Sequence, residues 1–484
     1  MPPHDLDRPG RAGMLPHRYE IPEVRLVRSR YVPVVAVTFV VILAWACYRA
    51  LSVDHAFHGH DGSALLWTAL FLAAGHQIAF AWFDRPFKVT LKEQIALDQL
   101  YVTVNVPLYN EDPAVIDRTI YALFRQSRLP NRIQVVDDGS SASDYAEIRD
   151  YWLRHAPRGV DFSWIRTKNG GKRHAQAVTF HNDYVADVFG TLDSDTALAG
   201  NAIEEALKPF ADPRVQSVAG VEVAYNAHAN LLTRINSIRQ VSWQMTQCCV
   251  LSMAGNVLVN RGTFAMYRAP VIRDNLDLYL NEKFLGKQVR YSDDSLLTLF
   301  ALKRGRTVQQ LTAFQLPMYP DNVNHAIRQW VRWMRGSTIR NIWRLRYLPV
   351  FSYGWLMSVL SWWQFFVSWA AYLMVFVVRP AEHHFSIAPV LIVLLSSYLV
   401  ALRNLLIRRS DHSPLQTLDT WLLAPLNLMW SLVVLRPVRI YGTLTCGNNG
   451  WGTRRKVEVG IASGSALSSG RTSALPPRRT GVSK

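Results

Sequence analysis

Three polar clusters in this chain have the residue types and spacing for chemistry at phosphate groups. Asp193-Ser194-Asp195 puts two carboxylates at i and i+2, where they can share one hard divalent cation that bridges two phosphates. A D-x-D by itself is a common solvated turn, but this one directly follows an apolar, strand-like run at 185–192. Asp137-Asp138-Gly139-Ser140 closes a second short apolar run, 132–136. One of its carboxylates can accept the imide N–H of a uracil ring, although Asp and Gly also favour plain strand-ending turns. Lys168-Asn169-Gly170-Gly171-Lys172-Arg173 combines glycines, which let backbone approach a phosphate, with cationic side chains.

Strands and helices must hold these clusters in place. Residues 100–106 form a β-rich run ending in Pro107, and 113–125 have helical spacing. From about residue 90 to 336 strand-like and helix-like segments alternate, which predicts a mostly parallel α/β sheet. Ligands of such sheets sit beyond the carboxyl ends of the strands, where the two aspartate clusters fall.

The surroundings of this middle region are different in kind. The chain has 484 residues, 49% hydrophobic and 18% charged, with a net charge of +17. Its apolar residues concentrate before Phe83 and after Pro349. Residues 32–51 and 64–83 are each long and apolar enough to span a bilayer, and 352–378, 387–407 and 418–435 are apolar as well. Arg8, Arg11, Arg18, Arg25, Arg28 and Arg30 precede the first run, and the connection at 52–63 has no Lys or Arg. The positive-inside rule then puts the N-terminus and the middle region in the cytosol, and a cleaved leader fits poorly. Three C-terminal crossings would leave Arg436, Arg439, Arg454, Arg455 and Lys456 outside, so one run, most simply 418–435, is expected not to cross. Because the arginines flank apolar runs, the charge points to anionic lipid and a nucleotide diphosphate, and no nucleic-acid partner is expected. Cys47, Cys248, Cys249 and Cys446 lack C-x-x-C spacing, which argues against zinc and a disulfide framework.

The motifs occur in a telling order. Val106-Pro107-Leu108-Tyr109-Asn110-Glu111, the Asp137 cluster, Gly170-Gly171-Lys172-Arg173 and Asp193-Ser194-Asp195-Thr196 are followed by Ser292-Asp293-Asp294, Gln329-Trp330-Val331-Arg332-Trp333 and Trp451-Gly452-Thr453-Arg454. Together they resemble the inverting, processive, membrane-bound family 2 glycosyltransferases, over about residues 32–456. Q-x-x-R-W in this order is the strong marker, and W-G-T-R is the segment most similar to hyaluronan synthases.

The resemblance implies a GT-A, Rossmann-like α/β domain in the cytosol, flanked by transmembrane α-helices of a multi-pass cell-membrane protein. The implied divisions are a basic tail at 1–31, two spans within 32–84, the catalytic domain at 90–336 and an interface helix at 337–351. Transmembrane or interfacial helices at 352–441, a W-G-T-R segment at 442–459 and a disordered tail at 460–484 follow. The implied partners are a UDP-sugar donor, a growing polysaccharide and membrane lipids, with Mg²⁺ or Mn²⁺ as cofactor. By position, Pro107, Tyr109, Glu111 and Asp138 line a uridine pocket with Asp137 beside them, and Lys172 and Arg173 approach the nucleotide. Asp193 and Asp195 bind the donor and the metal. Gln329, Arg332 and Trp333 stand at a channel mouth, with Trp333 stacked on the acceptor sugar, and Trp451 and Arg454 close over the diphosphate.

Asp294 is the expected general base. It opens the helical segment 295–303, whose N-terminus favours an ionised carboxylate; Asp293 is the second candidate catalytic residue, with capping of that helix as its alternative role. Trp330 and Trp343 read as membrane-interface tryptophans. Hyaluronan synthases usually have Gly-Asp-Asp followed by Arg-His; here the segment is Ser292-Asp293-Asp294-Ser295-Leu296, and Arg261-Gly262-Thr263-Phe264-Ala265-Met266-Tyr267-Arg268 also departs from their pattern. These segments border the acceptor, so the departures bear on the product and not on the reaction class; hyaluronan leads on the W-G-T-R resemblance, with chitin-like and cellulose-like chains as alternatives. A non-processive transferase acting on a lipid is disfavoured by Q-x-x-R-W. A transporter or scaffold with a merely regulatory domain is disfavoured by the full set of carboxylates.

Overall fold

The computed structural model describes residues 19–29, 31–58, 75–373, 377 and 387–448. Trp451 and Arg454 lie outside the described residues, as does most of the expected span at 64–83. A short strand, β1 (Val24–Leu26), precedes a long helix, α1 (Tyr31–His58). The middle of the chain builds one sheet from β2 (Val102–Leu108), β3 (Arg132–Asp137), β4 (Asp161–Arg166), β5 (Val188–Leu192), β6 (Thr196–Leu198), β7 (Val215–Glu222), β8 (Phe264–Arg268) and β9 (Arg306–Pro317). Their order is β4-β3-β2-β5-β8-β7-β9-β6. β4, β3, β2 and β5 run parallel, β8 is antiparallel to β5 and β7, and β6 is antiparallel to β9.

Every residue of β2 and β5 is buried, so both faces of the sheet need cover. Val104, Val106, Ile116, Ile120, Ile133, Val135, Val188 and Leu192 share the largest core cluster. Among the covering helices are α2 (Pro113–Phe124), α3 (Lys172–Asn182), α4 (Leu231–Trp243), α5 (Asp293–Arg304) and α6 (Val323–Tyr347). α2 starts where the Asp112 carboxylate accepts the Ala114 N–H at 2.8 Å and Pro113 needs no partner. After β2 the chain moves to β3 and β4 on one side, then returns to β5 on the other. That reversal leaves a crevice at the carboxyl ends of β2, β3 and β5, where Asp137, Asp138 and Asp193 gather. β2 runs two residues beyond the expected end at 106. Its pairing with β5 stops at Asn105, so Pro107 breaks no bond by lacking an N–H.

The remaining helices are α7 (Tyr353–Leu373), α8 (Ile387–Ala401), α9 (Pro414–Leu422), α10 (Ala424–Trp430) and α11 (Arg436–Leu444). A strand between α8 and α9, β10 (Ile407–Arg409), pairs antiparallel with β1 and ties the N-terminal segment to the C-terminal helices. α1 packs on α8 through Val32, Ala36 and Leu399, yet leaves Val34, Val37, Val41, Trp45 and Tyr48 exposed. Among the described residues no single helix is both long and apolar enough to cross a membrane; one bent pair, Pro414–Leu422 with Ala424–Leu444, meets at 41° and could by length and composition. The 418–435 run is therefore broken, with Pro425 at the start of its second half. α6 passes without interruption through 336 and 337, where a domain boundary was expected.

Candidate active site

The centre of the crevice is a lysine held between carboxylates. Gly171, at φ 93°, turns the chain into α3 in a conformation that disfavours other residues. Lys172 then projects its ammonium to Asp193 Oδ1 at 2.7 Å and Asp293 Oδ2 at 3.0 Å. The Asp138 carboxylate accepts the N–H groups of Gly170 and Gly171, both at 2.8 Å, and so anchors the glycine loop. Gly262 faces the same centre closely: a methyl there would stand 3.2 Å from Lys172 Nζ, 3.6 Å from Asp294 Cβ and 3.8 Å from Asp193 Oδ2. Lys172, Asp193 and Asp294 thus surround one point.

α5 presents the acidic pair at its first turn. Asp294 Oδ1 accepts the Ser295 N–H at 2.7 Å and Oδ2 accepts the Gly262 N–H at 3.2 Å. Burial, and then the charge of Asp293, push the Asp294 carboxyl up to about 6. Burial would raise Asp293 too, but the Lys172 ammonium outweighs it and holds that carboxyl below the usual range. Asp193 is pushed up to about 6 by burial and by neighbouring Asp195, against the pull of Lys172. Asp293 does not cap the helix: Ser292 is the N-cap residue, and the Asp293 carboxylate turns to Lys172.

These groups open into a cavity of about 1000 Å³ that continues beyond the sheet. Its walls include Pro107, Tyr109, Asp138, Lys172, Asp193, Asp195, Asp293 and Asp294, then Arg332 and Trp333, and at the far end Trp362, Arg436 and Arg439. Among the described residues, four expected site residues are not part of these walls. Asp137 is buried and accepts the Ser140 N–H at 2.9 Å; adjacent strand residues point to opposite faces, so Asp137 and Asp138 cannot both face the cavity. Glu111 is buried and accepts from Ser194 Oγ at 3.1 Å. Arg173 follows Lys172 by 100° around the helix and turns to Glu282 at 2.8 Å. Gln329 is half-buried at the flank of the α6 face that carries Trp330, Trp333, Ser337 and Arg344 to the cavity.

Other wall residues had no motif to mark them. Glu222 ends β7, accepts Thr263 Oγ1 at 2.6 Å and pairs with Arg261 at 3.4 Å. A lone glutamate at a strand end was the available signal. Arg239 lies over the Trp330 ring at 4.2 Å, and Arg439 over Phe365 at 4.3 Å and Trp362 at 4.9 Å. Trp330 and Trp343, read as interface tryptophans, have other roles. Trp330 lines the cavity, 5.7 Å between ring centroids from Trp333, and donates to Leu435 O at 3.2 Å. Trp343 donates to Glu282 at 3.0 Å.

A strand-end aspartate cluster, a glycine–lysine loop and an acidic pair at a helix start, all on one α/β sheet, define a glycosyltransferase with a GT-A-like fold. Residues 103–276 match the family model described as Glycosyl transferase family 2. The hyaluronan synthase of Streptococcus pyogenes serotype M1 is 32% identical over 367 residues, 74% of this chain and 84% of that protein. The chain belongs to glycosyltransferase family 2. The N-acetylglucosaminyltransferase of Rhizobium meliloti (strain 1021) is 31% identical over 244 residues, 50% of this chain and 56% of that protein. Among solved structures, the mannosyltransferase PcManGT from Pyrobaculum calidifontis, in complex with GDP-Man and Mn²⁺, has 19% identity and a TM-score of 0.48, covering 76% of this chain and 97% of that one.

Proposed function

We propose that this enzyme is a membrane-embedded, processive, inverting β-glycosyltransferase that builds a hyaluronan-like polymer from UDP-GlcNAc and UDP-GlcA and exports it. The observation that carries this reading is the charge of the cavity beyond the acidic pair. Arg239 and Arg439 line it, each stacked on an aromatic ring; among the described residues neither makes a direct ion pair or hydrogen bond, and Arg239 feels the Glu222 carboxylate only through space. Arginines in a half-enclosed site need an anion, and the carboxylates of a uronate-containing chain provide one at every second sugar. The aromatic rings beside them offer apolar faces to the C–H faces of the sugars.

Pro107, Tyr109 and Asp138 hold the uridine, with Glu111 and Asp137 supporting them from behind. Lys172 holds Asp193 and Asp293 apart from each other and offers its charge to the diphosphate. Asp193 and Asp195 would supply two hard oxygen ligands to Mg²⁺ or Mn²⁺ and leave the remainder to phosphate and water; among the described residues no three acidic, His or Cys side chains gather as a metal cage, and Asp193 Oδ1 is held by Lys172 at 2.7 Å. When bound, that cation neutralises charge building on the departing UDP. Asp294 takes the proton of the acceptor hydroxyl as its oxygen bonds to the donor C1 and the C1–phosphate oxygen bond breaks. Arg332 and Trp333, flanked by Gln329, align the acceptor; the resemblance assigns Trp451 and Arg454, which lie outside the described residues, to the donor diphosphate. The exposed apolar face of α1 and the bent pair α9–α11 support a membrane-embedded arrangement, and the arginines ahead of α1 support a cytosolic catalytic domain.

The test is to incubate membranes containing the full chain with Mn²⁺ or Mg²⁺ and with UDP-GlcNAc and UDP-GlcA, singly and together. Long polymer that needs both donors and is cut by a hyaluronan-specific lyase is expected. Polymer from UDP-GlcNAc alone, cut by chitinase, would replace this reading with a chitin-like one. Single-sugar transfer to a lipid would remove processivity.

A further inference from the structure

We propose that Glu282 is a positioning residue that sets the turn presenting the acidic pair, acting through two arginines from different parts of the fold. Its side chain does not reach the cavity. It is buried and accepts Arg173 Nη2 at 2.8 Å, Arg340 Nη1 at 2.7 Å, Arg340 Nη2 at 3.2 Å and Trp343 Nε1 at 3.0 Å. The same two guanidiniums also hold the backbone just ahead of Asp293. Arg173 Nη2 donates to Tyr291 O at 2.8 Å, and Arg340 Nη2 to Ser292 O at 3.4 Å.

That backbone needs holding. Ser292 sits at φ 61°, ψ 45°, a left-handed conformation that is costly for a residue with a side chain. The side chain of α6 nearest to it is missing for a reason: a methyl at Gly336 would fall 2.5 Å from Ser292 Cβ. One turn further along α6, Arg340 Nε donates to Ser295 Oγ at 3.2 Å, and Ser295 Oγ in turn bonds Ser292 O at 3.2 Å. The strained turn is thus clamped from α6 on one side and from α3, through Arg173, on the other. Glu282 is the shared counter-charge that lets the two buried guanidiniums stand together. Because Arg173 adjoins Lys172 and Arg340 shares α6 with Trp333, the clamp also sets the donor side and the acceptor helix in one register about Asp294. The proposal rests on Asp294 being the base, as given above.

Glu282→Gln keeps the shape and removes the charge. In the full-length chain in membranes, kcat for UDP release and polymer formation is expected to fall about 10–100-fold, as for a sub-ångström to ångström misplacement of a reacting group. KM for each UDP-sugar is expected to stay within about threefold, since Tyr109 and Asp138 make no contact with Glu282 and the clamp reaches the donor side only through the step from Arg173 to Lys172. Ser292→Gly removes the conformational cost of the turn. In the Ser292→Gly background the Glu282→Gln penalty on kcat is expected to shrink to about threefold or less, a coupling a double-mutant cycle reads directly. An equal kcat penalty in both backgrounds, with thermal stability falling in parallel, overturns the proposal and makes Glu282 a packing residue. Normal kcat in Glu282→Gln while Asp294→Asn is inactive also overturns it. An active Asp294→Asn enzyme removes the base assignment on which it rests.

Discussion

Asp294→Asn separates binding from chemistry most cleanly. The Asn side chain keeps the volume and can still accept the Ser295 N–H through its carbonyl oxygen, so α5 should hold its first turn. What it loses is the ability to take a proton. General-base catalysis contributes roughly 10²–10⁴-fold, which at about 1.4 kcal/mol per tenfold corresponds to about 3–5.5 kcal/mol of transition-state stabilisation. Polymer formation in membranes supplied with both UDP-sugars should fall by that factor, and UDP affinity, read by competition or calorimetry, should stay near normal. Asp293→Asn differs, because Lys172 keeps Asp193 at 2.7 Å as a partner; a partial loss of about tenfold or less is expected for a group acting through another. The pH profile gives an independent check. The Asp294 carboxyl is pushed up to about 6, and the base must be ionised to work. Activity should therefore be level above that pH and fall at least about tenfold per unit below it, since Asp193 is raised to the same range. Full activity in Asp294→Asn refutes the assignment outright; inactivity of Asp293→Asn with an active Asp294→Asn reverses it.

Asp195→Asn should abolish transfer and weaken Mn²⁺-dependent UDP binding by at least about tenfold, whereas unchanged metal-dependent affinity would make the pair a structural turn. Chelation of divalent cations should stop UDP release in the unmodified enzyme and added Mn²⁺ should restore it. Arg439→Gln should shorten the polymer while leaving initial UDP release within about threefold, measured by size-exclusion of the product; an unchanged length distribution would remove Arg439 from the polymer path. A cysteine introduced beside Lys456 should react only with reagents admitted to the cytosolic side, and labelling from outside would exclude Trp451 and Arg454 from the donor site.

Much of the centre was legible because its signals are local. An apolar run followed by Asp-x-Asp must end in a turn, and a sheet of such units must open at its strand ends, so Asp138, Asp193, Asp195 and Lys172 were readable from neighbours alone. α2, with Asp112 and Pro113 at its start, and α5, opened by the acidic pair, follow the same logic. Tertiary structure decided what depends on direction. Sequence order puts Lys172 and Arg173 side by side, yet the helix sends one to the carboxylates and the other to Glu282, 109 residues away in the chain. Only the packing of α6 against the Ser292 turn shows that Trp343 serves a buried glutamate, and only the enclosure of the cavity by α4 and α11 shows that Arg239 and Arg439, far apart in the chain, meet at one site. Hydrogen-bond partners that distant leave no periodic trace: each residue type is acceptable locally, and long-range burial alone selects the pairing.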